Sequence, residues 1–370
     1  MKQKKVLYIV RESLHLYPPC ISQILFLNDN GVDVTVICGD CDSKLIDIFR
    51  KRNINCILTG NKRVKIKLFG KVFSYLKFRY NILNLFKKLY DENTVLWFGT
   101  ADSAIALSGK LENKKYVLSV LELYDKYPFY LKGLKRLIGD AAIVIACEET
   151  RARIMKSWWN LQTLPYVMPN KPYPNNDMYE MEGSTEIKDA ISKIQNKKVI
   201  LYQGVISADR DLGILAEALK EMNSEYLLVL IGKSFYDGVN KVKSIYNKTV
   251  YLGYFPAPQH LQITPYATIG IANYDDSSLN NLFCAPNKIF EYTHFGKPIL
   301  GSDVPGLVNT IGKSGAGECI DFTDKLSIVS AIKKIESNYS EYVDNAKSFY
   351  ESVDNNLIIK RIIEEIFKED

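Results

Sequence analysis

The stretch NNLFCAPNKIFEYTHFGKPIL, residues 280–300, packs a proline, a lysine, a glutamate and a Gly-Lys-Pro punctuation into two turns of apolar-periodic sequence. Pro286 suits the first position of a helix, because a residue there has no use for its N–H. Gly296 then caps the helix and Pro298 opens a strand. The amides of Asn287 and Lys288 become free donors at the positive end of the helix, a ready place for an anion. Glu291 follows Lys288 by three residues and Asn287 by four, so all three share a face. A phosphate on those amides leaves Glu291 one turn deeper, roughly 5 Å along the axis. There a carboxylate can accept from the hydroxyls of an attached ribose. On spacing alone a surface helix with an i,i+3 Lys–Glu pair reads equally well, worth only a few tenths of a kcal/mol.

Working outward, the surrounding text has a repeating rhythm of short β-branched runs and longer helical patterns. In the first half the runs are KVLYIV (5–10), VDVTVIC (32–38), INCIL (54–58), TVLWFG (94–99), KYVLSVL (115–121) and AAIVIAC (141–147). After VMPNKPYPNNDMYEMEGSTE (167–186), a Pro-, Asn- and acid-rich linker, the rhythm restarts at KKVILYQG (197–204), YLLVLIG (226–232), TVYLGY (249–254), ATIGIAN (267–273), KPILGS (297–302) and GECI (317–320). Continuous apolar strands alternating with helices imply parallel sheets covered on both faces. At 370 residues the chain is too long for one ordinary core. The expectation is α/β: two Rossmann-like domains facing across a cleft, spanning 1–175 and 190–345. The amphipathic segment 346–370 is expected to return as a helix onto the first domain.

Composition excludes several classes. With 47% hydrophobic and 24% charged residues the chain is globular. No run of about 18 apolar residues occurs, so no membrane span is expected, and the start reads as a strand, not a signal peptide. Seven scattered cysteines suit reduced thiols in a cytoplasm. Cys38 and Cys41 form CGDC, but without a second ligand pair in the sequence they read as buried or incidental thiols. The strings Asp40-Cys-Asp42 and Asp209-Arg-Asp211 match D-x-D, yet such triplets arise often by chance. No cofactor and no essential metal are expected. No G-x-G-x-x-G follows a strand, and GLVNTIGKS (306–314) has one residue too many for a phosphate-binding P-loop. The net charge of +6 is local: residues 62–88 hold nine Lys or Arg and no acid. Phe69, Val72, Phe73, Leu76, Tyr80, Leu83 and Phe86 fall there near helical spacing. That block reads as a basic domain helix or as a contact for an anionic membrane surface. Nucleic acid is not expected, since no binding motif accompanies the charge.

The text PNKIFEYTHFGKPILGSD (286–303) also resembles the donor-binding signature of GT-B glycosyltransferases, the retaining family-4-like "glycosyl transferases group 1" type, which often reads P-x-K-x-x-E-Y-x-x-x-G-K-P. ILYQGVISADRDLGILAEAL (200–219), VYLGYFPAPQHLQITPYATIGI (250–271) and YVMPNKP (166–172) resemble other segments of that family in the same order. The resemblance implies a metal-independent, retaining hexosyltransferase using a nucleotide diphosphate-sugar. It implies that Glu291 binds the ribose and that the amides at Asn287 and Lys288 face the diphosphate. Arg210 would neutralise that diphosphate, Gly204 would give close backbone approach, and Gly253, Tyr254 and Phe255 would meet the base. In the first domain Glu122 is the catalytic candidate, with Arg11, Glu12, His15 and Asp125 on the acceptor side. The implied acceptor is a glycan or lipid-linked glycan in bacterial surface polysaccharide synthesis, with the protein cytoplasmic and peripheral at the inner face of the membrane. The sequence departs from the pattern at two places. Phe283 stands where many members have a first Glu, and Val205 where many have an Arg. Two alternatives therefore stand beside transfer: a catalytically silent nucleotide-binding partner subunit, and a nucleotide-sugar 2-epimerase of the same fold.

Overall fold

The computed structural model describes residues 3–61, 68–174, 184–207, 210–235 and 237–368. The chain divides into two compact units, Met1–Tyr173 with Asp354–Asp370, and Pro174–Val353. The first six residues of the basic block, residues 175–183 of the linker, and Asp209 lie outside the described residues.

Unit 1 is built on seven parallel strands: β1 Lys5–Ile9, β2 Asp33–Cys38, β3 Asn55–Leu58, β4 Thr94–Phe98, β5 Tyr116–Val120, β6 Ile143–Ala146 and β7 Tyr166–Val167, in the order β3-β2-β1-β4-β5-β6-β7. The apolar runs are continuous because helices cover both faces; β4, β5 and β6 are buried along their whole length. The final helix, Asn355–Ile366, belongs to this unit and buries Ile359, Ile362, Ile363 and Ile366. Its amino end is tied down by Asn355 Nδ2 donating to Pro169 O at 2.9 Å and Asn30 Nδ2 donating to Asn356 Oδ1 at 2.7 Å.

Unit 2 has six parallel strands, β8 Val199–Gln203, β9 Leu227–Ile231, β10 Thr249–Gly253, β11 Ile269–Ala272, β12 Ile299–Ser302 and β13 Gly317–Ile320, ordered β10-β9-β8-β11-β12-β13. In each sheet the order reverses beside the unit's first strand, at β1/β4 and at β8/β11. Loops diverge there beyond the carboxyl ends of the strands, which is where open α/β sheets bind ligands.

The apolar residues of the helix Leu68–Leu89 divide between two faces. Phe78, Ile82 and Phe86 are buried against the domain. Val72, Phe73, Leu76 and Tyr80 instead face outward, with Phe73 71% exposed. The helix therefore has two apolar faces, and the sheet needs only one. Among the described residues no helix is long and apolar enough to cross a membrane.

Candidate functional site

The helix of the opening motif spans Asn287–His294. Pro286 does not occupy its first turn. It is the N-cap, with extended φ −75° and ψ 143°, and Asn287 is the first helical residue. The pyrrolidine has no side chain to cap with, so no side-chain hydrogen bond closes this end. Tyr292 bolts the helix to the sheet: its hydroxyl donates to Leu201 O at 2.8 Å and accepts from Gln203 N at 3.2 Å. The ring lies so close to Gly270 that a β-carbon there would stand 2.4 Å from it. A glycine in the middle of β11 is thus the condition for the helix to sit this near the reversal point.

That anchorage fixes Glu291, which is 6% exposed. One carboxylate oxygen accepts from Gln203 Nε2 at 2.5 Å, and the other lies 3.3 Å from His260 Nε2. Thr264 Oγ1 donates to Gln203 Oε1 at 3.0 Å, which orients the amide so that its NH2 faces Glu291. Burial pushes the carboxyl up, but His260, Gln203 and Lys288 together outweigh it and hold it below the usual range.

Lys288, also 6% exposed, has the opposite circumstances. Its Nζ is buried and makes no hydrogen bond among the described residues. It lies 4.5 Å from the ring centroid of Tyr202 and 5.4 Å from that of Tyr274. The guanidinium of Arg210 lies 4.9 Å from the Tyr274 centroid, so two cations share one aromatic ring. Burial first, and then Arg210, lower the Lys288 ammonium against the opposing pull of Glu291 and Cys284, to about 7. Gly204, at φ +140°, leaves the space into which this side chain runs: a β-carbon there would lie 3.2 Å from Nζ. Arg210 comes from the loop after β8, Tyr274 from the loop after β11, and Lys288 from the helix before β12, all around the reversal point.

Of the remaining donor candidates, Gly253 ends β10 with φ +94°, and its carbonyl accepts from Gly232 N at 2.8 Å. Tyr254 is exposed and Lys233 Nζ lies 4.5 Å from its ring, while Phe255 is half-buried. The structure thus brings Gly204, Arg210, Lys288 and Glu291 together in unit 2. His260, Gln203, Thr264 and Tyr274 complete the group and were not singled out from sequence. The one available signal for His260 was its place in the 250–271 segment.

In unit 1 the candidates after β1 are not isolated. Arg11 Nε donates to Asp102 Oδ2 at 2.6 Å and Nη2 to Glu12 Oε1 at 2.8 Å, and the guanidinium lies 5.3 Å from the Tyr75 ring. Asp102, in the short helix Ala101–Ile105 after β4, also accepts from Thr100 Oγ1 at 2.6 Å. Sequence gave no reason to choose it. His15 lies in the short turn Leu14–Leu16, half-buried. Glu122, two residues beyond β5, is half exposed with Oε2 3.8 Å from Arg151 Nη1. Asp125 follows it in the same loop and is half-buried. Arg11, Glu12 and Asp102 stand beyond the carboxyl ends of β1 and β4, which flank this unit's reversal point, and Glu122 beyond that of β5, the next strand.

No protein-family model and no curated protein matches the sequence. Solved structures do match. A glycosyltransferase from Rickettsia africae superposes with a TM-score of 0.73 at 16% identity, covering 100% of both chains. The Anabaena protein HepE, solved in complex with UDP, gives 0.70 at 14% identity over 97% of this chain and 98% of its own. Sucrose-phosphate synthase from Thermosynechococcus elongatus gives 0.70 at 13% over 98% and 97%. The fold is GT-B. At these identities the likeness establishes the GT-B architecture of two Rossmann-like domains, and the chemistry must be argued from the side chains.

Proposed function

We propose that this GT-B protein is a glycosyltransferase that takes a sugar from a nucleoside diphosphate-sugar and passes it to a glycan or lipid-linked acceptor. The observation that carries the reading is the buried ammonium of Lys288, without a hydrogen-bonding partner among the described residues and beside Arg210. A buried cation left unbonded costs several kcal/mol. A diphosphate would supply the missing charge and acceptors. Glu291, held on both sides one turn along, would accept from the ribose hydroxyls. HepE, solved in complex with UDP-glucose, is a GT-B relative in structure that binds such a donor.

In this reading Lys288, Arg210 and the amides of Asn287 and Lys288 stabilise negative charge as it gathers on the departing diphosphate. In this retaining, metal-independent reading the departing phosphate takes the acceptor proton. Gly253, Tyr254 and Phe255 take the base. Arg11, Glu12, His15, Glu122 and Asp125, with Asp102 orienting Arg11, serve the acceptor. The outward stripe Val72, Phe73, Leu76 and Tyr80, with Lys77, Lys87 and Lys88 on the same helix, suits an anionic membrane surface. That placement fits a lipid-linked acceptor and bacterial surface polysaccharide synthesis at the cytoplasmic face. The test is nucleotide release from a panel of UDP-, GDP- and TDP-sugars, with and without membrane extract. Release that needs the extract supports transfer, binding without turnover indicates a silent subunit, and donor isomerisation indicates an epimerase.

A further inference from the structure

A second group of side chains in unit 1 belongs to no part of this chemistry. Cys38 ends β2, Cys41 closes the CGDC turn, and Cys56 stands on β3. The parallel register sets Cys56 opposite Val36, so Cys38, two residues further on, shares its face of the sheet one step along. Cys38 and Cys56 place their sulfurs 4.0 Å apart, and the sulfurs of all three cysteines lie within 4.8 Å of one another. Cys38 and Cys41 are buried and Cys56 is half-buried. Sequence offered only the CGDC pair, because the third thiol arrives through strand pairing.

The turn that returns Cys41 to this group is tightly constrained. A β-carbon at Gly39 would stand 1.9 Å from Asn61 O and 2.7 Å from Arg11 O, so only glycine fits. Gly39 N donates to Glu12 O at 2.9 Å, Leu14 N to Asp40 O at 2.8 Å, and Gly60 N to Gly39 O at 2.9 Å. The thiols therefore sit behind the loop that carries Arg11, Glu12 and His15.

We propose that Cys38, Cys41 and Cys56 form a thiolate site for one Zn2+ ion, with water in the fourth place, and that the ion braces the CGDC turn and the 11–15 loop bonded to it. Tetrahedral zinc with Zn–S bonds of about 2.3 Å needs sulfurs about 3.8 Å apart. The observed 4.0 Å and the 4.8 Å bound come within about 1 Å of that spacing, a side-chain adjustment. A disulfide needs the sulfurs at about 2.05 Å, a far larger movement for residues offset along paired strands, and it would strand the third thiol. Hard cations such as Mg2+ or Ca2+ do not select three sulfurs. Each thiol gives up its proton as it binds, so loading releases protons and strengthens with pH. The site is independent of the donor reading, since every ligand lies in unit 1.

The test uses the full chain, purified under reducing conditions, stripped with chelator and titrated with Zn2+ or with Co2+ as a coloured probe. The expected result is one ion per chain, a thiolate-to-cobalt charge-transfer band, and affinity weakened at least about 100-fold in Cys56→Ser. Cys319→Ser, in unit 2, should bind as the wild type does. Because Cys56→Ser also perturbs β3, alkylation mapping on the wild type gives a second readout. Zn2+ should protect Cys38, Cys41 and Cys56, and should slow amide exchange at residues 11–15. Absence of saturable binding, binding unaffected by Cys56→Ser, or protection of a different set of cysteines would overturn the proposal. So would recovery of the stripped, reduced protein as a Cys38–Cys41 disulfide that forms in the presence of excess Zn2+.

Discussion

His260 Nε2 lies 3.3 Å from Glu291 Oε1, and Gln203 holds the other carboxylate oxygen, so the acid is fixed from both sides. Such a group pays little to be ordered when a ligand arrives, and its removal is felt in binding. Glu291→Gln keeps the shape and one acceptor but loses the charge. The expected outcome is donor affinity reduced about 10- to 100-fold, read by calorimetry with UDP-glucose, with a stability loss of about 1–3 kcal/mol from the unmatched His260 and Gln203. Unchanged affinity would make Glu291 a brace of the core and nothing more.

The contrast between what could and could not be read from sequence is sharp around this residue. Twelve of the thirteen described strands were legible to within a residue or two, because buried parallel strands are unbroken apolar runs bounded by Gly, Asn and Pro; β7, only Tyr166–Val167, runs into the stretch read as linker. Lys288 and Glu291 were legible because they share one helical turn. Gln203 and His260 reach Glu291 from distant parts of the chain through the sheet and a turn, and no periodicity encodes such a meeting. Asp102 beside Arg11 was hidden for the same reason, across 91 residues. Which apolar residues of Leu68–Leu89 face the core and which face outward was not legible, because spacing marks apolar positions without saying which of them the core takes.

Lys288 predicts a pH dependence of definite sign. Its ammonium is lowered to about 7, burial and Arg210 outweighing the opposing pull of Glu291 and Cys284. In the unfolded chain a lysine keeps its proton to about 10.4. Between those values the unfolded state binds more protons, so stability rises with pH; below about 7 the full cost of the buried charge is present. Urea midpoints for the wild type should climb from pH 6.5 toward pH 9.5 by roughly the window above, and Lys288→Met should flatten the climb. The diphosphate of UDP-glucose carries a fixed charge and prefers the protonated lysine. Its affinity should fall as pH rises above about 7, by at most about tenfold per unit, with proton uptake at pH 8 visible by calorimetry in two buffers.

Gly204 and Gly232 separate stability from binding. A β-carbon at Gly232, φ +139°, would stand 1.7 Å from Gly204 O, a backbone atom that cannot turn aside. Gly232→Ala should cost roughly 3 kcal/mol or more, seen as a lower melting temperature or as insoluble protein. At Gly204, φ +140°, the new methyl meets Lys288 Nζ at 3.2 Å, the far end of a flexible side chain. Gly204→Ala should keep the fold at a cost of about 1–3 kcal/mol while weakening UDP-glucose binding by tenfold or more.

The outward stripe of Leu68–Leu89 gives a test of the membrane placement that leaves the core untouched. Phe73 and Leu76 are exposed, so Phe73→Asp with Leu76→Asp should leave the melting temperature unchanged or slightly raised. Flotation with vesicles of mixed phosphatidylcholine and phosphatidylglycerol should lose the protein. Wild-type binding should weaken with salt without vanishing, since the apolar share is not screened. Equal flotation of variant and wild type would remove this helix from the contact.

The last helix offers a perturbation confined to unit 1. Ile362 is fully buried in Asn355–Ile366, and Asp354 caps the helix by accepting from Leu357 N at 2.9 Å. Ile362→Ala removes three buried carbons and should cost about 2–5 kcal/mol, and Asp354→Ala about 1 kcal/mol. The donor residues Gly204, Arg210, Lys288 and Glu291 all belong to unit 2. UDP-glucose affinity should therefore stay within about twofold of wild type in both variants under conditions where they remain folded. Chemical denaturation followed by exchange of unit 1 amides measures the first quantity and calorimetry the second. A joint loss of stability and affinity would mean that the Asn355–Ile366 helix supports the donor residues as well as its own sheet.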